Sequence, residues 1–325
     1  MIPREYLAKR LVQAAFTFFV VLLLNFTIPR LMPGDPARIL ANEGMLPKEA
    51  VDTLVRTFNL DRPYHEQLVS YLVNAFRGDF GFSYKYYPTT VMELLLTRLP
   101  WTILLLGLAT ITTSIFGIVI GLVCAWKRES KTDVAALSVS IFIWAIPYFW
   151  LAMVLLYLFG YIFPIFPLGH GVTVGARHGG FVEYLGDVLW HLALPVIAIT
   201  LTGYASYSLI TRNTMIETLA EDYVLTAEAK GLSERQVLLR HAARNALLPL
   251  VTMIALRLGF IVSGAIFTET VFSYPGVGLL IYESIMYQDF PVLQGAFFIL
   301  SVTVIVANLT ADVLYSILDP RIKYR

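Results

Sequence analysis

The stretch "WTILLLGLATITTSIFGIVIGLVCAW" (residues 101–126) contains no charged side chain. A helix needs about 20 mostly apolar residues to cross a bilayer core about 30 Å thick, so this stretch predicts a transmembrane helix. Five other segments have the same character. The predicted spans cover roughly residues 9–29, 99–126, 134–161, 188–210, 247–268 and 292–317.

The composition agrees with a membrane protein. Only 14% of the 325 residues are charged and 57% are hydrophobic, whereas soluble domains have about 25% charged residues. The net charge of +1 gives no reason to expect nucleic acid as a partner. The single cysteine, Cys124, excludes a disulfide within the chain. We therefore predict an all-α integral membrane protein with six transmembrane helices, forming one domain over residues 1–325 and contacting membrane lipid.

Basic residues in short loops predict the orientation, because they concentrate on the cytoplasmic side. Arg4, Lys9 and Arg10 precede the first span, and basic short loops alternate with short loops that are almost free of Lys and Arg. Both termini are predicted to be cytoplasmic in a plasma or inner membrane. Residues 30–98 become an extracytoplasmic insertion after helix 1, and residues 211–246 a cytoplasmic loop. The first apolar run lacks a signal-peptide cleavage pattern, so we expect it to be a retained span.

Smaller patterns predict local features. In the insertion, residues 47–60 and 64–76 predict amphipathic helices, and "RGDFGFS" (77–83) predicts a glycine-rich turn. Gly117 and Gly121 are spaced for close helix packing. Pro147 and Pro195 predict kinks, because proline removes a backbone donor. We favour ordinary packing over a moving gate as the reason for these residues.

The loop at 211–246 contains two helix-start patterns separated by a glycine. Thr218 to Glu221 and Ser233 to Gln236 both fit a capping box, and Gly231 lies where a left-handed residue would end a helix. These signals predict helices at 219–229 and 234–246. The first has an apolar stripe formed by Leu219, Ala220, Tyr223, Val224 and Ala227. Nearby acidic residues would be repelled by an anionic membrane, so we expect the stripe to enter a groove of a partner protein.

The loop resembles a known family. Its sequence "EDYVLTAEAKGLSERQVLLRHAARNALLP" (221–249) is similar to the cytoplasmic signature of ABC importer permeases of the dipeptide/oligopeptide/nickel type. The resemblance covers nearly the whole chain. It continues through "YLAKRLVQ" (6–13), "MPGDPA" (32–37), "RGDFGFS" (77–83), "ETVFSYPGVG" (269–278) and "DPRIKYR" (319–325). Two departures stand out: the signature's Glu-Ala-Ala positions hold residues 225–227, and its usual Arg is Glu228 here.

The resemblance implies a role for each of these segments. The first loop helix would be a coupling helix that docks on an ATPase subunit through Glu221, Asp222, Tyr223, Val224, Ala227, Glu228, Ala229, Lys230, Gly231 and Leu232. The family also implies a second, non-identical permease, two ATPase subunits and an extracytoplasmic solute-binding protein. The segment facing that binding protein would be a re-entrant scoop containing Glu269, Ser273, Tyr274, Pro275 and Gly276.

No catalytic or metal-binding pattern accompanies this loop. The chain lacks the phosphate-binding motif G-x-x-x-x-G-K-[ST], so we expect ATP and Mg to be bound by the partner subunits and this chain not to be an enzyme. The five histidines have no metal-ligand spacing.

Arg257 lies about ten residues into the fifth predicted span. Placing an arginine there costs about 2.5–3.5 kcal/mol. Two interpretations are equally supported. Arg257 is either a pathway residue or the structural partner of a polar group such as Asn308 or Asp312.

The cargo remains open at this point. Peptides agree best with the resemblance, while oligosaccharides or nickel are alternatives within the same importer architecture. A membrane-bound enzyme such as a protease would need an intramembrane nucleophile and base, and no convincing pair is present. A passive channel would give no reason for the cytoplasmic signature.

Overall fold

The computed structural model describes residues 4–31, 49, 52, 55, 56, 62–259 and 265–318. These residues are almost entirely helical, and within them the only β-pairing is an isolated bridge between Phe82 and Thr90. The helices of the first half are α1 (Arg4–Leu31), α2 (Tyr64–Arg77), α3 (Val91–Trp126), α4 (Lys131–Ala145), α5 (Tyr148–Leu156) and a π-helix at Tyr157–Ile162.

The second half continues in the same way. Its elements are α6 (Phe181–Leu219), α7 (Asp222–Ala229), α8 (Glu234–Gln236), a π-helix at Val237–Ala242, α9 (Ala243–Ala246), α10 (Leu248–Gly259), α11 (Ile266–Val271), α12 (Val277–Met286) and α13 (Phe290–Leu318).

Three described helices are long and apolar enough to cross a membrane: Lys9–Leu31, Val91–Trp126 and Phe181–Leu219. A fourth candidate is the pair α4 and the helix at Tyr148–Ile162, which are bent by 93° at their junction. Pro147 precedes α5 at this break, so the predicted kink is confirmed there. At Pro195, in contrast, α6 continues without interruption.

The fifth and sixth predicted spans contain α10 and α13. The count of six spans goes beyond the three or four that the described residues show. The predicted helix at 47–60 lies mostly outside the described residues. The helix predicted at 64–76 is confirmed as α2. The glycine turn after it is also confirmed, since Gly78 and Gly81 have φ angles of 72° and 74°.

The chain separates into two compact units. Unit 1 comprises Met1–Ile103, Val262–Ile266 and Pro275–Arg325, and unit 2 comprises Leu104–Ile261 and Phe267–Tyr274. A single permease domain therefore stays a prediction.

In unit 1, the packed face of α2 includes one buried polar residue. Its buried residues are Gln67, Tyr71 and Ala75. Asn25 of α1 donates hydrogen bonds to the Tyr71 hydroxyl (3.0 Å) and to the carbonyl oxygen of Gln294 in α13 (2.8 Å). These bonds satisfy polar groups that would otherwise be costly to bury.

In unit 2, α3 approaches the backbone of α6 closely. A Cβ on Gly121 would lie 2.5 Å from the Cβ of Thr211, and one on Gly117 would collide with the Cβ of Tyr207. The predicted glycine packing is therefore confirmed. It brings α6, which leads into α7, against the end of α3.

Candidate functional site

The candidate site is α7 together with the turn and helices that follow it. Gly231 has a φ angle of 77°, so the left-handed glycine turn predicted from the sequence is confirmed. Ser233 donates its backbone N–H to Gln236 Oε1 at 3.2 Å, which is one half of the predicted capping box. The second helix then runs from Glu234 to Ala246 as α8, the π-helix and α9.

The start predicted for the first helix is wrong. Thr218 lies inside α6, where its hydroxyl donates to the carbonyl oxygen of Thr214 at 2.7 Å. A threonine within a helix bonds back to position i−4 instead of capping. The helix of the candidate site therefore begins at Asp222, after Glu221, which makes no side-chain cap.

The burial of α7 corrects a second expectation. Val224 is fully buried and Ala227 is only 4% exposed, so they are not on a surface that a partner protein could contact. Both pack into a cluster formed by this chain itself, with Ala125, Met215, Val237, Leu238, Ala242, Ala243 and Ala246. Val224 and Ala227 of the predicted stripe therefore hold α7 against its own chain, whereas Tyr223 of the same stripe is 41% exposed.

The opposite face of α7 is open to solvent. It carries Asp222, Leu225, Thr226 and Ala229, which follow the spacing i, i+3, i+4, i+7 and so share one side of the helix. Leu225 is 49% exposed and is the largest apolar side chain on this face. Leu225 is not among the residues predicted for the site, because tertiary packing decides which apolar residue of an amphipathic helix remains exposed.

The remaining predicted residues of the site flank this face. Glu221, Tyr223, Glu228, Lys230 and Gly231 are exposed and Leu232 is half-buried. The surface formed by Asp222, Leu225, Thr226 and Ala229 is called the α7 surface below.

Two side-chain hydrogen bonds fix the frame around α7. Asn245 of α9 donates to the Tyr223 hydroxyl at 2.8 Å. The Trp126 indole donates to Glu234 Oε1 at 2.7 Å, which ties the end of α3 to α8. These contacts attach α7 to α9 and α8 to the end of α3.

A bidentate ion pair joins α4 to α6, the helix that leads into α7. Arg212 of α6 donates from Nε and Nη2 to the two carboxylate oxygens of Asp133 in α4, both at 2.8 Å. Asp133 is 1% exposed, and the planar guanidinium matches a carboxylate in this two-bond geometry. The pair joins α4 to α6 before α6 reaches the site.

Arg257 of α10 lies on a different part of unit 2. Its side chain is exposed, and its guanidinium carbon lies 5.4 Å from the centre of the Tyr207 ring. Among the described residues it forms no ion pair. Asn308 belongs to unit 1, and the side chain of Asp312 lies outside the described residues. A contact of Arg257 with either residue therefore stays a prediction.

The predicted binding-protein-facing segment is mostly buried. Glu269 and Tyr274 are 0% exposed, and Gly276 is also buried. Ser273 is exposed, with a φ angle of 45°, and Pro275 is half-buried.

Unit 1 contains a polar cluster that the sequence did not predict. The buried carboxylate of Asp289 accepts hydrogen bonds from the Ser83 hydroxyl and from the backbone N–H of Lys85 (3.1 Å). Burial raises the pKa of Asp289 above its ordinary value, although these hydrogen bonds act in the opposite direction. The residues are more than 200 positions apart in the chain, so no local pattern reveals the contact.

Comparison with known proteins identifies the family. Residues 117–324 match the family model described as the inner membrane component of binding-protein-dependent transport systems. The chain belongs to this family. The resemblance seen in the loop sequence is therefore confirmed, and the match includes the whole candidate site.

Three relatives extend this family assignment over nearly the full chain. An oligopeptide transport system permease protein of Bacillus subtilis is 33% identical, with 98% of this chain and 99% of the relative covered. A di/tripeptide permease protein of Pseudomonas aeruginosa is 33% identical and a dipeptide permease protein of Escherichia coli K12 is 32% identical, with 99% of both chains covered in each case.

Proposed function

We propose that this chain is a permease subunit of an ATP-driven peptide importer and forms half of its translocation pathway. The observation that carries this proposal is the set of peptide permeases that match it from end to end. These relatives support peptides over oligosaccharides or nickel as cargo, and they support a transporter over an enzyme or a passive channel.

The finer architecture is part of the same proposal. Six spans place both termini in the cytoplasm and residues 30–98 outside, as the distribution of Lys and Arg favours. A second permease completes the pathway, two ATPase subunits bind ATP and Mg, and a solute-binding protein delivers the cargo. The family description supports the dependence on a binding protein.

The test of cargo uses the complete transporter reconstituted in vesicles with its binding protein. We expect ATP-dependent uptake of a labelled dipeptide or oligopeptide. Maltooligosaccharides and Ni²⁺ should neither enter nor compete. Uptake of an oligosaccharide without peptide uptake would reject the peptide assignment while leaving the importer assignment intact.

The α7 surface is proposed as the docking site for an ATPase subunit. It is exposed, it is supported by several elements of the chain, and Leu225 supplies an apolar side chain that can enter a groove. Leu225→Asp should therefore reduce co-purification of the ATPase subunits and ATP-driven uptake. Leu239→Asp is a matched control, because Leu239 is similarly exposed (46%) and lies outside the α7 surface. Equal losses in both variants would argue against a specific docking role.

Arg257 is proposed as a pathway residue. Its exposed guanidinium has no ion-pair partner among the described residues. It lies near Tyr207, whose buried hydroxyl has no hydrogen-bond partner among those residues either. Arg257→Ala should impair uptake and leave assembly and thermal stability intact, while Arg257→Lys should retain part of the uptake. Lower stability without a specific transport defect would favour a structural role.

A further inference from the structure

A polar cavity in unit 1 lies beside α1, α2, the glycine turn and α13. Its wall includes Arg30, Gln67, Tyr71, Asn74, Asp79 and Gln294. The cavity therefore presents one positive charge, one negative charge and several groups that can form hydrogen bonds. No part of the proposed transport mechanism uses it.

The positively charged side chain of this cavity, Arg30, is held in a fixed position. Arg30 donates from Nε to Gln67 Oε1 at 3.1 Å and from Nη1 to the carbonyl oxygen of Phe26 at 3.0 Å. Its guanidinium also stacks on the Phe26 ring, 3.7 Å from the centre. Nη2 has no hydrogen-bond partner in the described part of the chain, so it can still donate to an anion.

The negative charge is supplied by Asp79, at the end of the same wall. Its Oδ1 accepts a hydrogen bond from the backbone N–H of Gly81 at 2.9 Å, which orients the carboxylate. Considering the described residues alone, neither Arg30 nor Asp79 forms an ion pair. Two unpaired charges of opposite sign that face one cavity are complementary to a zwitterion.

The surroundings favour a lipid as the source of that zwitterion. Arg30 is the penultimate residue of the apolar span Lys9–Leu31, and arginines at span ends place their charge at the head-group layer. On the side of α2 that faces away from the cavity wall, Val69, Val73 and Phe76 are exposed. These residues lie on one side of the helix, as in helices that rest in the membrane interface.

We propose that this cavity binds the head group of a zwitterionic phospholipid of the phosphatidylethanolamine type in the outer leaflet. Arg30 binds the phosphate and Asp79 binds the ammonium, while the apolar side of α2, away from the cavity wall, rests in the same membrane interface. The leaflet follows from the orientation proposed above, while the head-group chemistry follows from the two charges alone. A peptide is also a zwitterion, but it gives no reason for Arg30 to stand at the end of an apolar span or for the helix that lines the cavity to expose an apolar side.

The test is native mass spectrometry of the complete purified transporter titrated with phosphatidylethanolamine or phosphatidylglycerol. The wild type should bind phosphatidylethanolamine more strongly. Asp79→Asn should weaken binding of that lipid about tenfold, the loss expected for a charge-assisted hydrogen bond, and so remove the preference. Arg30→Gln should weaken both lipids by a similar factor. Arg77→Gln removes an exposed charge of α2 that is not part of the cavity wall, so it should bind like the wild type.

Several results would overturn the proposal. One is equal binding of the two lipids by the wild type, and another is an unchanged preference in Asp79→Asn. Arg30→Gln also removes the bond to Gln67, so its melting temperature is measured in parallel. If it unfolds, Asp79→Asn decides the outcome. Displacement of the lipid by alanyl-alanine, weakened by the same substitutions, would instead assign the cavity to cargo.

Discussion

The helices α2 and α7 are both short, lie outside the long apolar spans and bury apolar residues, yet they expose different kinds of side chain. In α7 the apolar Val224 and Ala227 are buried and the acidic residues are exposed. In α2 Tyr71 and Ala75 are buried together with the polar Gln67, and Val69, Val73 and Phe76 are exposed. A helical pattern therefore does not show which of its apolar residues the chain buries and which it leaves exposed.

The difference separates two kinds of environment. An exposed apolar face is stable when it contacts lipid or another apolar surface. An exposed face with charged residues and one leucine is compatible with water and can also be covered by a partner protein. We therefore assign lipid to α2 and a protein partner to α7. The following predictions test this contrast, from the largest expected effect to the smallest.

The largest effect is expected from a charge placed on the buried face of α7. Val224→Asp would bury a carboxylate without a partner, which costs several kcal/mol, about 3 or more. Thermal stability of the purified permease and retention of the ATPase subunits should both fall. Thr226→Asp changes an exposed neighbour on the same helix, so its stability should stay near that of the wild type. Equal stability of the two variants would contradict the burial of this face.

A moderate effect is expected at the turn after α7. Gly231 has a φ angle of 77°, and no atom lies within 4 Å of the position that a Cβ would occupy. Any cost of Gly231→Val would thus come from backbone strain of about 1–2 kcal/mol and not from a collision. We expect weaker coupling between ATP hydrolysis and uptake, measured in vesicles. Gly231→Asn should lose less, because asparagine tolerates this conformation better. A greater loss in Gly231→Asn would contradict the strain explanation.

A smaller effect is expected on the exposed side of α2. Val73→Asp places a charge near the membrane interface, where the cost is roughly 1 kcal/mol or less. Thermal unfolding in lipid nanodiscs should show a small loss, and ATPase retention should not change. If Val73→Asp instead releases the second permease, a protein covers α2 and the contrast with α7 is broken.

The smallest effect concerns the burial of carboxylates in the two regions and the resulting dependence of stability on pH. The carboxylates of α7 are exposed, whereas Asp289 in the unit that contains α2 is buried, and burial raises its pKa above the ordinary value of 3.8. The folded state then binds this proton more readily than the unfolded state does. The resulting stabilisation is complete below pH about 3.8 and is lost as the pH rises through the higher folded value.

Asp289→Asn tests this linkage, because it cannot ionise and keeps an oxygen that can accept a hydrogen bond. Melting temperatures measured across the acidic range should depend less on pH in this variant than in the wild type. Identical pH profiles would show that Asp289 does not contribute to the acid dependence. Asp222→Asn, which changes an exposed residue of α7, is the comparison variant.

Local sequence patterns predicted the membrane class, α2, the glycine turn at Gly78 and Gly81, the break at Pro147 and the positive φ of Gly231. Each of these features depends on properties carried within a few residues: apolar length, helical periodicity, the fixed φ of proline and the conformational freedom of glycine. The family was also identifiable from the sequence, because the order and spacing of its motifs are preserved over the chain.

Tertiary structure decided which surfaces these elements present. No local pattern indicates that Val224 faces the chain's own core while Leu225 remains exposed, that Thr218 lies inside α6, or that Asp289 contacts Ser83. The burial of a side chain depends on segments distant in the sequence that pack against it, and α7 meets partners as far apart as Ala125 and Ala246. Helical periodicity positions two faces on one helix, but the free energy of packing against the rest of the chain selects the one that is buried.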